Sequence, residues 1–172
     1  MNQTVAALRT LIRTVEGSPL RDYWSCSGVA PGLPKGAITQ VFGPGKTEFA
    51  VRFLREHPDL KVAWIEPTLS IYPSGILQRK VAMNRILFIE SGKEFPWAVW
   101  QAVKSSLFEG VILTAAVDDL RLLRRFQLAV EKGGTSLILL SEYPSNSWPV
   151  ALQLKSSRNQ GGRINIDVIR KK

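Results

Sequence analysis

With one cysteine, Cys26, and one histidine, His57, in 172 residues, the chain has no internal disulfide and no Cys/His set for a zinc site. A structural metal is therefore not expected. Acidic residues are also scarce, 14 Asp+Glu against 23 Lys+Arg, for a formal net charge of +9. Such a surplus favours acidic partners such as nucleic acid or acidic protein surfaces and says nothing about fold. No run reaches the roughly 18–20 consecutive apolar residues of a membrane span, and Met1 to Leu11 lack the layout of a signal peptide. The expectation is a soluble cytoplasmic protein with no membrane partner. Disorder is excluded by composition, because 45% of residues are hydrophobic and only 22% are charged. That balance and this length suit one domain with one core.

Val5, Leu8, Leu11, Ile12 and Val15 recur at helical spacing until Gly17-Ser18-Pro19 breaks the pattern. Residues 17–36 are rich in glycine and proline and read as an irregular lead-in wrapped on the domain surface. From Ala37 onward, short apolar runs at 37–42, 61–66, 85–89, 110–114 and 136–141 alternate with helical stretches at 47–55, 73–81, 96–108 and 118–132. Apolar runs without alternation suit strands covered on both faces, and their interleaving with helices predicts an α/β fold with a mostly parallel sheet. Residues 150–156 and 163–170 flank Asn159-Gln160-Gly161-Gly162 and predict a C-terminal β-hairpin. The expected organisation is an N-terminal helix and lead-in over 1–36 and a single domain over 37–172.

The first of these strands ends in Phe42-Gly43-Pro44-Gly45-Lys46-Thr47 and runs straight into a helical pattern, the order of parts in a phosphate-binding loop. Gly43, Gly45, Lys46 and Thr47 are therefore candidate nucleotide contacts. In a full loop four residues separate the first glycine from Gly-Lys-Thr, and their N–H groups encircle the phosphate. Here Pro44 alone stands between Gly43 and Gly45. A turn that short reads more naturally as a tight turn, with Lys46 as a solvated residue at a helix start, so ATP and Mg²⁺ are not expected. The central strand ends in Thr114 where a magnesium carboxylate would be needed. Asp118 and Asp119, before Leu120, fit helix capping better.

Together these features resemble the RecA-like, P-loop NTPase-type fold, and within it the ImuA/SulA-type group linked to the bacterial DNA-damage response. Gly32-Leu33-Pro34-Lys35-Gly36, Gly43-Pro44, Gly45-Lys46-Thr47, Ile65-Glu66-Pro67, Tyr72-Pro73 and the helix from Leu120 to Ala129 carry the likeness, in order, over about Val29 to Lys172. In active RecA-like ATPases a glutamate after the second strand polarises the attacking water. Glu66 lies at the strand end here, without a full loop or a strand-end Asp to act with. The resemblance implies a pseudo-ATPase acting as an adaptor in damage-induced translesion DNA synthesis, with an ImuB-like protein and error-prone polymerase subunits as partners and DNA as a further one. A SulA-like inhibitor that binds the division tubulin homologue, and a RecA-like protein with residual ATP binding, are the alternatives.

Positive charge collects in Arg121, Arg124 and Arg125, and again in Lys155, Arg158, Arg163, Arg170, Lys171 and Lys172. These are candidates for a surface that meets phosphates or an acidic protein; the alternative is a solvated face with a frayed tail. Trp97 and Trp100 lie one helical turn apart beside Lys93 and Lys104, and packing of the helix on the sheet is their first reading, ahead of stacking on bases or anchoring a partner. His57 and Cys26 have no neighbours that suggest catalysis. The apolar stripe of the N-terminal helix needs a cover, which self-association or a partner would supply.

Overall fold

The computed structural model describes residues 22–171. The expected N-terminal helix and Lys172 lie outside the described residues. Five apolar runs form the strands β3 (Ile38–Phe42), β4 (Val62–Glu66), β5 (Ile86–Glu90), β6 (Gly110–Thr114) and β7 (Ser136–Ser141), all within two residues of their expected bounds. The C-terminal strands β8 (Val150–Arg158) and β9 (Ile164–Lys171) form an antiparallel hairpin. The sheet order is β5-β4-β6-β7-β3-β8-β9, and every pairing except β8 with β9 is parallel.

Among the described residues four α-helices cover this sheet: α1 (Lys46–Glu56), α2 (Pro73–Gln78), α3 (Phe95–Lys104) and α4 (Leu120–Gly133). On one face, Phe49 and Phe53 of α1 and Ile76 of α2 pack against Val41, Trp64, Ile112 and Ile138. On the other, Val99 of α3 and Leu123, Phe126 and Val130 of α4 pack against Ile38, Ile65, Val111 and Leu137. Connections that run outward from β3 to β5 use the first face, and those that return from β5 use the second, which is one handedness throughout. Side chains such as Phe49 and Phe126 are almost fully buried, each contributing about 1.5–3 kcal/mol. Among the described residues, no helix is long and apolar enough to cross a membrane.

The lead-in differs from its expectation. It contains a two-strand antiparallel pair, β1 (Tyr23–Trp24) with β2 (Leu33–Pro34), and it belongs to the core, because Val29 and Leu33 are buried in the α1-side cluster. Polar anchors fix it there. Trp24 Nε1 donates to Ser136 Oγ at 3.2 Å, Arg52 donates to Ser27 O at 2.9 Å, and Ser27 N donates to Glu56 at 3.0 Å. His57 follows the last residue of α1, as its place before Pro58 implies, and its Nε2 donates to Ser25 O at 2.7 Å. Its ring packs on Trp24 and Phe53.

The connection from β7 to β8 is unusual for parallel strands, which commonly need a dozen or more residues and a helix to cross between them. Here residues 142–149 return along the α3/α4 face, past β3, without a helix. Eight extended residues reach about 26 Å, enough to span a five-residue strand. Their backbone polar groups then need partners inside the protein. Gln40 and Gln153 supply them: Gln40 Nε2 donates to Tyr143 O at 3.2 Å, Gln40 Oε1 accepts from Ser145 N at 2.9 Å, and Gln153 Nε2 donates to Ser145 O at 2.8 Å. A 2.7 Å bond from Gln153 Nε2 to Gln40 Oε1 ties the two glutamines together.

Candidate functional site

The C-terminal ends of β3 and β4, where open α/β sheets bind ligands, border a cleft of about 570 Å³. That volume lies in the small-molecule range of about 300–1,000 Å³. Gly43, Pro44, Gly45, Lys46 and Thr47 form one wall, and the segment from Ser70 to Arg79 faces them.

Both glycines adopt left-handed backbone, with φ 94° at Gly43 and 92° at Gly45. Their lack of side chains is used by the C-terminal hairpin. A β-carbon on Gly43 would lie 2.5 Å from Ser156 O, and one on Gly45 would lie 2.7 Å from Ile164 Cγ2. Ser156 Oγ sits 3.1 Å from both the Phe42 and the Gly43 carbonyls and closes the turn from beneath. The turn then bonds to itself, with Lys46 N donating to Gly43 O at 3.3 Å and Phe49 N donating to Gly45 O at 2.9 Å. Among the described residues the Gly45, Thr47 and Glu48 N–H groups take no backbone partner. The turn that carries them is three residues shorter than a loop that rings a phosphate.

Lys46 departs from the solvated side chain expected of it. Its side chain is only 15% exposed, and its ammonium is in ion-pair contact with Glu142, the first residue after β7. The sequence gap of 96 residues hides this pairing. It arises because β7 lies beside β3 in the sheet, so both strands end at the same place.

Glu66 ends β4 and is buried, with both carboxylate oxygens in use. Oε1 accepts from Trp64 Nε1 at 3.0 Å; Oε2 accepts from the Ser70 and Ile71 N–H groups and from Ser70 Oγ. Burial alone would raise its pKa. The bonds from Ser70, Trp64 and Ile71 outweigh that penalty and hold it below the ordinary value of 4.5, with help from the Thr114 hydroxyl. Thr114 Oγ1 faces this carboxylate and, among the described residues, makes no closer hydrogen bond to any other group. Glu66 is thus the acceptor that organises the turn after β4. Across the mouth of the cleft Arg79 pairs with Glu48 at 2.7 Å, and Arg158 adds a cation to the lining.

Lys172 lies outside the described residues, and the structure distributes the other eight basic candidates over several places. Arg158 lines the glycine-turn cleft, and Lys171 lies over the Tyr23 ring at 5.6 Å. Lys155 is exposed and sits opposite Asp167 in the hairpin. Arg163 is exposed at the hairpin turn. Arg124 and Arg170 converge on the 142–149 connection: Arg124 covers the Trp148 ring at 4.8 Å and donates to Gln127, while Arg170 donates to Ser147 O at 2.7 Å. Arg121 and Arg125 are exposed on α4.

Asp119 has the capping role expected of it, accepting from Arg121 N at 2.8 Å and Leu122 N at 3.4 Å. Packing on the sheet, the first reading of Trp97 and Trp100, is overturned. They are 62% and 38% exposed, because Ala98, Val99, Ala102 and Val103 form the buried stripe of α3 and turn the indoles outward. Cys26 is half-buried, and burial together with the nearby Glu56 pushes its thiol up to about 12. That argues against nucleophilic use at neutral pH.

Sequence reasoning missed Gln40, Gln153 and Arg85. Polar glutamines inside the apolar runs Ile38–Phe42 and Val150–Arg158 were the available signal for the first two. Arg85 donates to Leu54 O at 2.6 Å, Leu60 O at 2.8 Å and His57 O at 2.9 Å, closing the C-terminal end of α1; nothing in its local sequence announces that. Among the described residues no three His, Cys, Asp or Glu side chains gather as a metal site. No family model matches the chain, and no curated protein matches it.

Proposed function

We propose that this chain is a non-catalytic protein of RecA-like type, an ImuA-like adaptor in damage-induced translesion DNA synthesis. The observation that carries the non-catalytic part is how the phosphate-loop position is engaged within the chain. The hairpin packs on Gly43 and Gly45, and Glu142 holds the Lys46 ammonium. The residues present do not fit ATP and Mg²⁺: the turn is three residues shorter than a full phosphate loop, Thr114 stands where a carboxylate would bind the metal, and Glu66 is engaged by its own turn. The parallel sheet with helices on both faces and the glycine turn at the end of β3 support the RecA-like reading. The adaptor role rests on the ordered sequence resemblance. Since the cations do not share one face, the partner surface is better suited to protein than to a long nucleic-acid track.

Calorimetry with Mg-ATP on the wild-type chain and on Lys46→Ala tests the non-catalytic part. No binding heat and no phosphate release are expected from either protein. Heat or turnover that disappears in Lys46→Ala overturns the reading in favour of residual ATP binding. Co-purification with an ImuB-like or polymerase subunit, retained in Lys46→Ala, tests the adaptor part. Capture of the division tubulin homologue with no polymerase component puts the SulA-like alternative first.

A further inference from the structure

The outer surface of α3 and α4 carries a second site, away from the glycine turn. Two cavities of about 280 and 260 Å³ lie between these helices, and Trp100 lines both, so they form one groove. The groove follows α3, whose ten residues extend about 15 Å. Its apolar contacts come from Trp97, Trp100 and Val103 on one helix and Leu122, Phe126 and Ala129 on the other. Exposed indoles on a helix that already buries its other stripe are not needed by the core.

The rim is strongly one-signed. Lys93 and Arg125 border one cavity and Lys104 and Lys132 the other, against the single carboxylate of Glu94. None of these four cations takes a carboxylate partner among the described residues. The combination of an apolar floor with a basic rim is complementary to a helix that presents apolar anchors along one stripe and carboxylates beside it. Single-stranded nucleic acid is the poorer match, because stacking needs open ring faces along a charged track, whereas Leu122, Val103 and Ala129 give bases and phosphates nothing to bond. The chain's own first residues are a poor match as well, since Arg9 and Arg13 accompany their apolar stripe.

We infer that the α3/α4 groove is a docking site for an acidic amphipathic helix of a partner protein, with Trp97 and Trp100 as its apolar anchors. This inference names the partner chemistry of an adaptor and rests on that reading only for its biological setting. The nucleotide calorimetry and the groove titration can each fail without the other.

The test uses fluorescein-labelled synthetic peptides: an acidic helix with Leu and Phe at i, i+3, i+4 and i+7, the same composition scrambled, and a Lys-for-Glu version. An oligo(dT) strand is titrated in parallel, all by anisotropy and by quenching of tryptophan fluorescence. The acidic amphipathic peptide is expected to bind, and the scrambled and basic peptides to bind at least tenfold more weakly. Trp97→Ala, a substitution at an exposed position, is expected to weaken binding about tenfold or more, as for an interface anchor. Lys93→Glu with Arg125→Glu is expected to do the same and to flatten the salt dependence. Circular dichroism and thermal melts unchanged from wild type establish that each variant is folded. Acidic-peptide binding that is absent, or that is indifferent to all three substitutions, overturns the proposal. So does oligo(dT) binding that is lost in Trp97→Ala while the peptide does not compete for it.

Discussion

Ile164 stands over Gly45 so closely that a β-carbon built on the glycine would lie 2.7 Å from its Cγ2 methyl. The contact joins two segments more than a hundred residues apart, and it changes what the Gly-Pro-Gly turn is for. The glycines allow the turn to lie against the C-terminal hairpin, which places Ile164 over one and the Ser156 carbonyl over the other.

Alanine substitutions should rank accordingly. Both positions have φ above 90°, where an L side chain is strained by about 1–3 kcal/mol. At Gly43 the obstacle is backbone, Ser156 O at 2.5 Å, which cannot move without shifting β8. At Gly45 it is a side-chain methyl. Urea melts should therefore find Gly43→Ala less stable than Gly45→Ala. Adding Ile164→Ala should recover part of the loss in Gly45→Ala and none of it in Gly43→Ala, with the double-mutant cycle giving the coupling. Equal losses with no recovery would mean that backbone conformation alone sets the requirement.

The alternation of apolar runs and helices was legible because strands such as Val111-Ile112-Leu113 are buried on both faces and admit only apolar residues. The Asp119 cap was legible for a similar reason, since capping is local. What escaped were relations between strand ends. Lys46 and Glu142 are neighbours only because β7 lies beside β3, an order that no local pattern encodes. The outward turn of Trp97 and Trp100 escaped because α3 also has alanines and valines to bury, and small residues beat larger ones where the helix approaches the sheet.

The glutamine pair that supports the helix-free crossover should be measurable locally. Gln40 bonds at both ends, donating to Ser141 Oγ at 2.7 Å and Tyr143 O and accepting from Ser145 N and Gln153. Gln40→Leu leaves several of these groups buried without partners, at a loss of about 1–3 kcal/mol. Hydrogen exchange should accelerate first at the Ser145 amide, which bonds to that side chain. Protection at Ser145 equal to wild type would show that the connection is held by other contacts.

Cys26 should react slowly. With its thiol pushed up to about 12 by burial and by Glu56, the thiolate is scarce at pH 8. Iodoacetamide labelling of the folded protein is expected to run well below the rate of the urea-unfolded chain. Glu56→Gln removes the lesser of the two causes and should raise the rate only modestly, whereas a large acceleration would put the carboxylate ahead of burial.

Glu66 gives the chain a specific acid sensitivity. Its folded pKa is depressed, so the native state binds this proton less readily than the unfolded chain does, and stability falls as pH falls. The contribution is fully present above the unfolded carboxylate range, near 4.5, and is lost as pH drops through the lower folded value. Glu66→Gln keeps a carbonyl acceptor for the turn but has no proton to take up, so it should be less stable than wild type at pH 7. Its stability should also decline less steeply between about pH 5 and pH 3. Glu66→Ala, which strips the acceptors from Trp64, Ser70 and Ile71, should lose more, about 1–3 kcal/mol at pH 7. Chemical denaturation across that pH range for the three proteins checks both statements. Parallel pH profiles for wild type and Glu66→Gln would show that other carboxylates set the acid limit and that Glu66 acts through its hydrogen bonds alone.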